Sequence, residues 1–332
     1  MTVSTDVSCI VGLDIAKAKF DVALRLRGKF KSKVFDNSPG GFAALNAWLA
    51  KHGVSEAVFV MEATGTYHEA LALHLADQGA RVFVINPARI KRYAEASMMR
   101  GKTDAPDARV IACFFEAQHA SLQPWVPPSA EVRALRELTR RLEALKDLRQ
   151  QEANRLGLAR EQRVRASLDA VLAILDEQIA HIERSIHDHI DRHPGLKADR
   201  ALLASIPGLG ALTIPILMAE LPWRRFASAA QAGAYTGLTP RRYESGATVR
   251  AASRITKIGA PRLRRALYFP AIVAAQHNPI LRAFYQRLLA NGKTKMAALA
   301  ATMRKLIHIA YGILRSGKPF DPLYLQKSQQ VG

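Results

Sequence analysis

Apolar positions in the first 120 residues alternate between strand-like and helix-like spacing. Short apolar runs bounded by turn residues predict strands, and apolar residues three and four apart predict helices. The pattern predicts strands at 9–14, 20–26, 31–35, 57–61 and 81–85, and helices at 41–51, 67–76 and 107–117. Three consecutive strands followed by alternating helices and strands predict a mixed α/β sheet with helices on its faces.

A proline-rich stretch at 121–128 interrupts this pattern and predicts a domain boundary. Beyond it, leucine and isoleucine recur in steps of three and four, which is typical of a coiled-coil seam or a helical hairpin. An intrachain hairpin and an intersubunit coiled coil predict the same spacing, so the pattern leaves oligomerisation open. Gly157 is a candidate bend. The seam residues are Leu135, Leu138, Leu142, Leu145, Leu168, Leu172, Leu175, Ile179, Ile182 and Ile186.

The pattern therefore predicts three domains, at 1–128, 129–195 and 196–332. The third is predicted to be mainly helical, and near its start the letters IPGLG at 206–210 lie between helix-forming stretches. This resembles a helix-hairpin-helix motif, in which backbone N–H groups at a helix N-terminus bind a phosphate. Gly208 and Gly210 are then candidate nucleic-acid contacts. A Pro-Gly turn between two packed helices is equally common as plain structure.

Composition narrows the class of protein. The 332 residues are 49% hydrophobic and 23% charged, as in soluble globular proteins. Cys9 and Cys113 are the two cysteines, each in an apolar run, so a disulfide framework and a zinc site of spaced ligands are excluded. No apolar run approaches a membrane span and the start lacks a signal peptide, which predicts a cytoplasmic protein without a membrane partner.

Charge points to a polyanionic partner, with 48 basic and 28 acidic side chains and a net charge of +20. The excess is uneven along the chain. Residues 1–128 carry +3, 129–195 carry zero, and 196–332 hold 21 basic and 4 acidic side chains, or +17. A charge that served only solubility would mix both signs more evenly. A nucleic-acid surface is therefore predicted mainly in the C-terminal third.

Four carboxylates stand at the ends of predicted elements. Asp14 ends the first strand, Glu62 follows the strand at 57–61, and Asp104 and Asp107 are spaced to share one helix face. Together they could hold one or two Mg²⁺ ions, which prefer oxygen ligands and keep positions open for phosphate. Taken singly, Asp104 reads as a helix cap and Glu62 as a surface residue. Their order is typical of RNase H-like, specifically RuvC-like, nucleases.

A serine surrounded by arginines is the second candidate site. Ser245 lies in a turn-like stretch between Glu244 and Gly246, and such a serine could attack a phosphodiester while arginines stabilise the developing charge. No histidine is adjacent to act as the base, and Tyr243 and Ser253 are rival nucleophiles. The candidate phosphate-binding arginines are Arg241, Arg242, Arg250 and Arg254.

Five segments together resemble the IS110 family of transposases, the bridge-RNA-guided recombinases. They follow one another in order along nearly the whole chain. They are GLDIAK at 12–17, EATGTY at 62–67, KTDAPDAR at 102–109, IPGLG at 206–210, and GLTP at 237–240 followed by Ser245-Gly246.

The resemblance implies a RuvC-like N-terminal domain, a coiled-coil segment and a C-terminal transposase domain. It implies that Asp14, Glu62, Asp104 and Asp107 bind Mg²⁺, and that Ser245 forms a covalent phosphoserine link to DNA. It also implies that a structured noncoding bridge RNA pairs with target and donor DNA, and that dimers join into a tetramer. Two rivals remain: a RuvC-like structure-specific endonuclease in which water attacks, and a non-catalytic DNA- or RNA-binding protein.

Overall fold

The computed structural model describes residues 9–63, 65–97, 107–241, 244–245, 249–250, 254–256 and 258–323, with backbone only at 241, 244–245, 249–250 and 254. Contacts divide the chain into two compact units, Met1–Pro127 and Pro128–Gly332. The boundary falls in the proline-rich stretch. Residues 129–195 belong to the same unit as the helices that follow them, and the finer division into three domains stays a prediction.

The first unit, unit 1, is built on a five-stranded mixed sheet with the order β3-β2-β1-β4-β5. β1 to β3 are antiparallel neighbours, whereas β4 pairs in parallel with β1 and β5 in parallel with β4. The predicted mixed α/β sheet is thereby confirmed. The elements are β1 Cys9–Ile15, β2 Lys19–Leu26, β3 Lys29–Asp36, α1 Pro39–Lys51, β4 Val58–Glu62, α2 Glu69–Asp77, β5 Arg81–Ile85, α3 Pro87–Ala96 and α4 Asp107–Gln118.

Both faces of this sheet are covered, because side chains alternate along each strand. Val11 and Leu13 of β1 join the core that includes α1 and α2, whereas Ile10 joins the core that includes α3 and α4. Gly12 also lies on the α4 face. A Cβ at this glycine would be 2.1 Å from the carbonyl oxygen of Ala108, so the absence of a side chain lets α4 pack directly on β1.

Helix α3 lies outside the sequence prediction. Its start is marked by a conventional cap, because the Asn86 side chain accepts a hydrogen bond from the backbone N–H of Ala88 and Pro87 occupies the first turn. Only Ile90 is buried in this helix. Tyr93 and Ala94 pack partly against the same core as Ile90. These positions are three and four residues apart, so the helical spacing is present in the sequence and the prediction misses it.

Unit 2 begins with two long helices, α5 Ala130–Leu158 and α6 Gln162–Arg192. They run antiparallel, because a ring nitrogen of His189 hydrogen-bonds the carbonyl oxygen of Glu131 at 2.8 Å, and Lys146 Nζ lies 2.7 Å from Glu183 Oε1. The chain reverses just after Gly157. Within one chain the leucine seam thus pairs α5 with α6, and a coiled coil between subunits stays a prediction.

Short helices and one long apolar helix complete the core of unit 2. By length and composition alone, α13 could cross a membrane, yet 56% of its apolar window is buried in the unit and Leu306 and Ile307 lie in the core. The helices are α7 Pro194–Ala204, α8 Thr213–Glu220, α9 Ala229–Tyr235, α10 Pro261–Ala266, α11 Tyr268–His277, α12 Pro279–Ala290 and α13 Lys295–Ser316.

Helices α7 and α8 are joined by the turn that contains the two candidate glycines. Gly208 has φ +109°, and a Cβ there would lie 2.6 Å from the Cβ of Ala274 on α11. This position therefore requires glycine for helix packing. No described atom would lie within 4 Å of a Cβ at Gly210, which is exposed. Nucleic-acid binding by Gly208 and Gly210 stays a prediction.

Candidate functional site

Two of the predicted carboxylates lie side by side at one edge of the sheet in unit 1. In the parallel pairing of β1 with β4, Leu13 is opposite Met61, so Asp14 and Glu62 are the next residues on neighbouring strands. Asp14 lies two residues after Gly12, and Glu62 lies two residues after Val60, so both acids are on the α4 face of the sheet. The carboxyl ends of β1 and β4 therefore present two acids on the same face, here called the carboxylate edge.

Asp107 is brought to the same edge by helix packing. It is the first residue of α4, next to Ala108, whose backbone packs against Gly12. Its negative charge acts on Asp14. The contact between Gly12 and α4 thus places a third acid near the ends of the strands. Asp104 lies outside the described residues.

The electrostatics of the carboxylate edge are unfavourable without a cation. Burial raises the pKa of Asp14, and the negative charges of Asp107, Asp21 and Glu62 raise it further, while a hydrogen bond from the backbone of Ile15 opposes them. The causes that raise this pKa all reflect negative charge held in a half-buried position. Oxygen ligands and accumulated negative charge suit a hard divalent cation such as Mg²⁺. Among the described residues, no three acid, imidazole or thiol groups form a complete ligand set.

Asp21 is a residue of this edge that sequence reasoning missed. It lies on β2 directly opposite Asp14 in the antiparallel ladder. Like charges directly opposite in a ladder are destabilising, and Asp21 has no ion-pair or hydrogen-bond partner within the described part of the chain. The alternation of β2 could have placed Asp21 on a sheet face, but only the register of β1 with β2 makes it a neighbour of Asp14.

The candidate nucleophile lies in unit 2 on a short hairpin. The backbone of Ser245 pairs with Val249, and Glu244 pairs with Arg250, as two-residue antiparallel strands β7 Glu244–Ser245 and β8 Val249–Arg250. The sequence predicts a turn-like stretch here. Two residues of strand on each side are too few to show period-2 alternation, so the hairpin has no sequence signature.

Two further strands join the ends of the segment that carries this hairpin. β6 Pro240–Arg241 pairs with β9 Arg254–Ile255, and Pro240 lies opposite Ile255. Directly outside them, the backbone N–H of Thr256 donates to the carbonyl oxygen of Thr239 at 2.9 Å. Residues 240–255, here called the serine arm, therefore leave and rejoin the helical core at one point.

The base of the serine arm is held to the end of α9. The backbone N–H of Ala260 donates to the carbonyl oxygen of Tyr235 at 2.8 Å. Gly259 has φ +148°, and a Cβ there would lie 2.4 Å from that oxygen and 2.6 Å from the backbone nitrogen of Gly237. The two segments approach more closely than any residue with a side chain permits.

Arginines of α10 attach this base to the surrounding helices. Arg264 Nη1 donates to the carbonyl oxygen of Thr236 at 3.2 Å. Arg262 Nε donates to Glu143 Oε2 of α5, and its Nη1 donates to Glu220 Oε1 of α8, both at 2.5 Å. The side chain of Arg262 is 16% exposed, so these two ion pairs are shielded from water. Through α10, the residues just before the serine arm are thereby connected to α5 and α8.

Some arginines of unit 2 thus form ion pairs with glutamates of the same unit. Glu220 also accepts a hydrogen bond from Arg140, and Glu143 also pairs with Arg265. Arginines in such pairs stabilise the contacts between helices. The candidate phosphate-binding arginines are placed only as backbone: Arg241 pairs with Arg254 across β6 and β9, and Arg250 lies opposite Glu244. Arg242 lies outside the described residues.

Comparisons with known proteins cover both units. Residues 11–159 match the family described as transposase, DEDD_Tnp_IS110, and residues 200–286 match the family described as transposase IS116/IS110/IS902. A pilin gene-inverting protein of Moraxella bovis is 33% identical over 323 residues, which is 94% of this chain and 97% of the relative.

Two partial matches accompany these. An uncharacterized 43.6 kDa protein of insertion element IS110 from Streptomyces coelicolor is 30% identical over 156 residues, 47% of this chain and 37% of the relative. The solved structure of T. thermophilus RuvC in complex with a Holliday junction substrate covers 35% of this chain and 99% of its own, at 14% identity and a TM-score of 0.27.

Proposed function

This chain belongs to the IS110 family of transposases, enzymes that cleave and transfer DNA strands, and from that premise we propose that it works through a covalent phosphoserine intermediate and a Mg²⁺-dependent carboxylate site. The observation that carries the proposal is the convergence of Asp14, Glu62 and Asp107 at one edge of the sheet. Strand order and direction in unit 1 support the RuvC-like assignment of this unit.

The carboxylate edge would bind the metal through Asp14, Glu62 and Asp107, with Asp104 as the fourth acid of the family pattern. The raised pKa of Asp14 supports this role, because a carboxylate crowded by other carboxylates is stabilised by a cation. Bound Mg²⁺ would supply Lewis-acid stabilisation of charge on the phosphate. One or two ions are compatible with four acids.

In the chemical step, the hydroxyl oxygen of Ser245 attacks the scissile phosphorus and loses its proton. The bond from phosphorus to the 3′ oxygen breaks, and the 3′ oxygen takes up a proton to become a 3′ hydroxyl. One phosphodiester is exchanged for another, so rejoining needs no high-energy cofactor. Arg241, Arg242, Arg250 and Arg254 would bind phosphate oxygens of the DNA.

Recognition and assembly follow the family resemblance. A structured noncoding bridge RNA would select target and donor DNA by base pairing, so that the protein needs to read only backbone and shape. Dimers would join into a tetramer, with the leucine seam of α5 and α6 contributing to contacts between subunits. The name of the Moraxella relative describes gene inversion, a rearrangement that also requires cleavage and rejoining. The proposed location is the cytoplasm.

The test is denaturing electrophoresis of the protein after incubation with donor DNA, target DNA, the noncoding RNA and Mg²⁺. Wild type should form covalent protein–DNA adducts and joined product, and Ser245→Ala should form neither while it still binds RNA and DNA. Tyr243→Phe and Ser253→Ala are the matched controls and should keep both. Hydrolysed ends without an adduct would instead identify the water-dependent endonuclease, and adducts that persist in Ser245→Ala would exclude the serine mechanism.

A further inference from the structure

Unit 1 contains a strongly basic segment that its small net charge conceals. Residues 17–33 hold seven basic side chains and a single acid, Asp21, for a net charge of +6. The remaining residues of 1–128 hold 8 basic and 11 acidic side chains, or −3. This segment, here called the basic hairpin, comprises the turn after β1, all of β2, and β3 as far as Lys33.

The basic hairpin forms the edge of the sheet. β3 is the terminal strand, and its connection to β2 is a two-residue turn in which Arg27 and Gly28 have φ +48° and +78°. Positive φ at both positions matches the twist of a tight hairpin. The two strands therefore stay paired up to the turn, and the exposed Arg27 lies at its tip.

A row of lysines follows this edge. Lys29, Lys31 and Lys33 alternate along β3, project from one face and are exposed. Successive members are about 7 Å apart because each strand residue advances about 3.4 Å. Lys17 and Lys19, in and just after the turn beside the carboxylate edge, are also exposed. Exposed basic residues thus extend from the end of the sheet that holds the acids to the tip of the hairpin, with Lys29, Lys31 and Lys33 on one face and Lys19 on the other.

Most of this charge is not neutralised within unit 1. Arg25 pairs with Glu116 at 2.5 Å, and Lys33 lies over the ring of Phe35. Within the described part of the chain, no ion-pair partner faces the other basic side chains of the segment. Lys29, Lys31 and Lys33 project from the α1 face whereas Asp14 projects from the α4 face, so these three lysines do not neutralise the carboxylate edge. Lys19 lies on the α4 face, two residues before Asp21 on β2. Among the described residues, the basic side chains of the segment without an ion pair are Lys17, Lys19, Arg27, Lys29, Lys31 and Lys33.

We propose that the basic hairpin is a second DNA-binding surface, which contacts the sugar–phosphate backbone of the DNA strand on which the enzyme acts. Exposed lysines at strand spacing bind backbone phosphates without reading sequence. DNA is the expected occupant because strand cleavage and transfer are the activity of the family. The proposal concerns affinity and stands apart from the serine mechanism.

The test measures binding in the presence of EDTA, so that no cleavage occurs. The variant Arg27→Gln/Lys29→Gln/Lys31→Gln is compared with Lys51→Gln/Lys91→Gln/Arg92→Gln, which removes the same charge from exposed helix positions of the same unit. The probes are a labelled DNA duplex and an RNA duplex of the same sequence. The hairpin variant should bind the DNA about tenfold or more weakly. Its slope of log K against log salt should fall by about 3, at about 0.9 for each phosphate that the hairpin no longer neutralises.

Three results would overturn the proposal. Equal losses of affinity in both variants would mean that overall charge, rather than this surface, sets affinity. A loss confined to the RNA probe would assign the surface to RNA. Lysine on an edge strand also discourages pairing between sheets, so a hairpin variant that self-associates but keeps full DNA affinity would make the row a guard against aggregation. Equal unfolding temperatures of the two variants establish that both remain folded.

Discussion

The carboxylate edge and the serine arm are positioned by different kinds of structure. The acids stand on adjacent strands of a continuous sheet, where the ladder itself places Asp14 beside Glu62 and opposite Asp21. The serine arm has two-residue strands and is held at its base by contacts with α9, α5 and α8. The proposed metal site would need several fixed ligands at once, whereas the proposed nucleophile would need only that the two ends of its arm be fixed.

The difference extends to the electrostatics and the backbone geometry of each region. At the carboxylate edge the strain is electrostatic, since like charges raise the pKa of Asp14. Beside the serine arm, Gly237 and Gly259 have positive φ and the backbone is closely packed, which glycine permits and a residue with a side chain would not. A side chain added at either glycine would introduce strain there, whereas removing a carboxylate would relieve repulsion at the carboxylate edge. Substitutions should therefore separate the two regions by their effects on stability as well as on activity.

Asp14→Asn should have the strongest effect of the substitutions that separate the two regions. Strand cleavage should fall by at least about 10², because metal-held charge stabilisation contributes several kcal/mol. The unfolding temperature without metal should rise, since the substitution removes a crowded negative charge. Calorimetry and a cleavage assay check both, with Asp77→Asn at the exposed end of α2 as the control. A fall in stability would show that the acids are not in electrostatic conflict.

Gly259→Ala should have the next strongest effect, at the serine arm. The added Cβ must displace the carbonyl oxygen of Tyr235 or the backbone of Gly237, and a misplacement of about 1 Å at a reacting group can cost about 10² in rate. The single-turnover rate of adduct formation should fall while DNA affinity stays unchanged. This separates positioning from general destabilisation.

The control for Gly259→Ala is Gly292→Ala. Gly292 also has positive φ, +74°, but no described atom would lie within 4 Å of its Cβ, so this variant has the backbone strain without the collision. If both variants lose the same rate, the close approach at Gly259 does not position the arm. If Ser245→Ala abolishes adducts and Gly259→Ala does not slow them, the serine mechanism stands and only the positioning role of Gly259 is wrong.

The weakest effect is expected at His308, which packs against α9 from α13. A Cβ at Gly233 would be 2.8 Å from its Nε2, and burial and then the charges of Arg304 and Lys305 lower the pKa of this histidine. The unfolded chain therefore binds its proton first as pH falls, so stability should be lost below about pH 6.5, the ordinary pKa of histidine.

Thermal unfolding between pH 7.5 and 5.5 checks this. The His308→Leu variant should lose less stability over that range than wild type, whereas His181→Leu, at an exposed position of α6, should follow wild type. Identical pH profiles for His308→Leu and wild type would show that α13 supports α9 without any contribution from the protonation of His308.

Regular periodicity makes most of unit 1 predictable. Strands such as Arg81–Ile85 are short apolar runs with clear ends, and the acids at the ends of β1 and β4 follow from them. Helix α3 escapes prediction although Ile90, Tyr93 and Ala94 have helical spacing, because this apolar stripe is short and lies among charged residues. Asp21 escapes it because cross-strand neighbours depend on register. The serine hairpin could not be predicted because its two-residue strands are too short to show alternating apolar and polar positions.

Motifs, alternation and composition are local properties of a chain, and here they are enough to establish the family, the mixed α/β sheet and the uneven distribution of charge. Which charges meet depends instead on the packing of the folded chain. Gly12 brings α4, and with it Asp107, to Asp14; Arg262 is used in ion pairs with Glu143 and Glu220; and the lysines of the basic hairpin stay exposed at a sheet edge. These outcomes depend on close contacts between residues far apart in the chain, which no local pattern encodes.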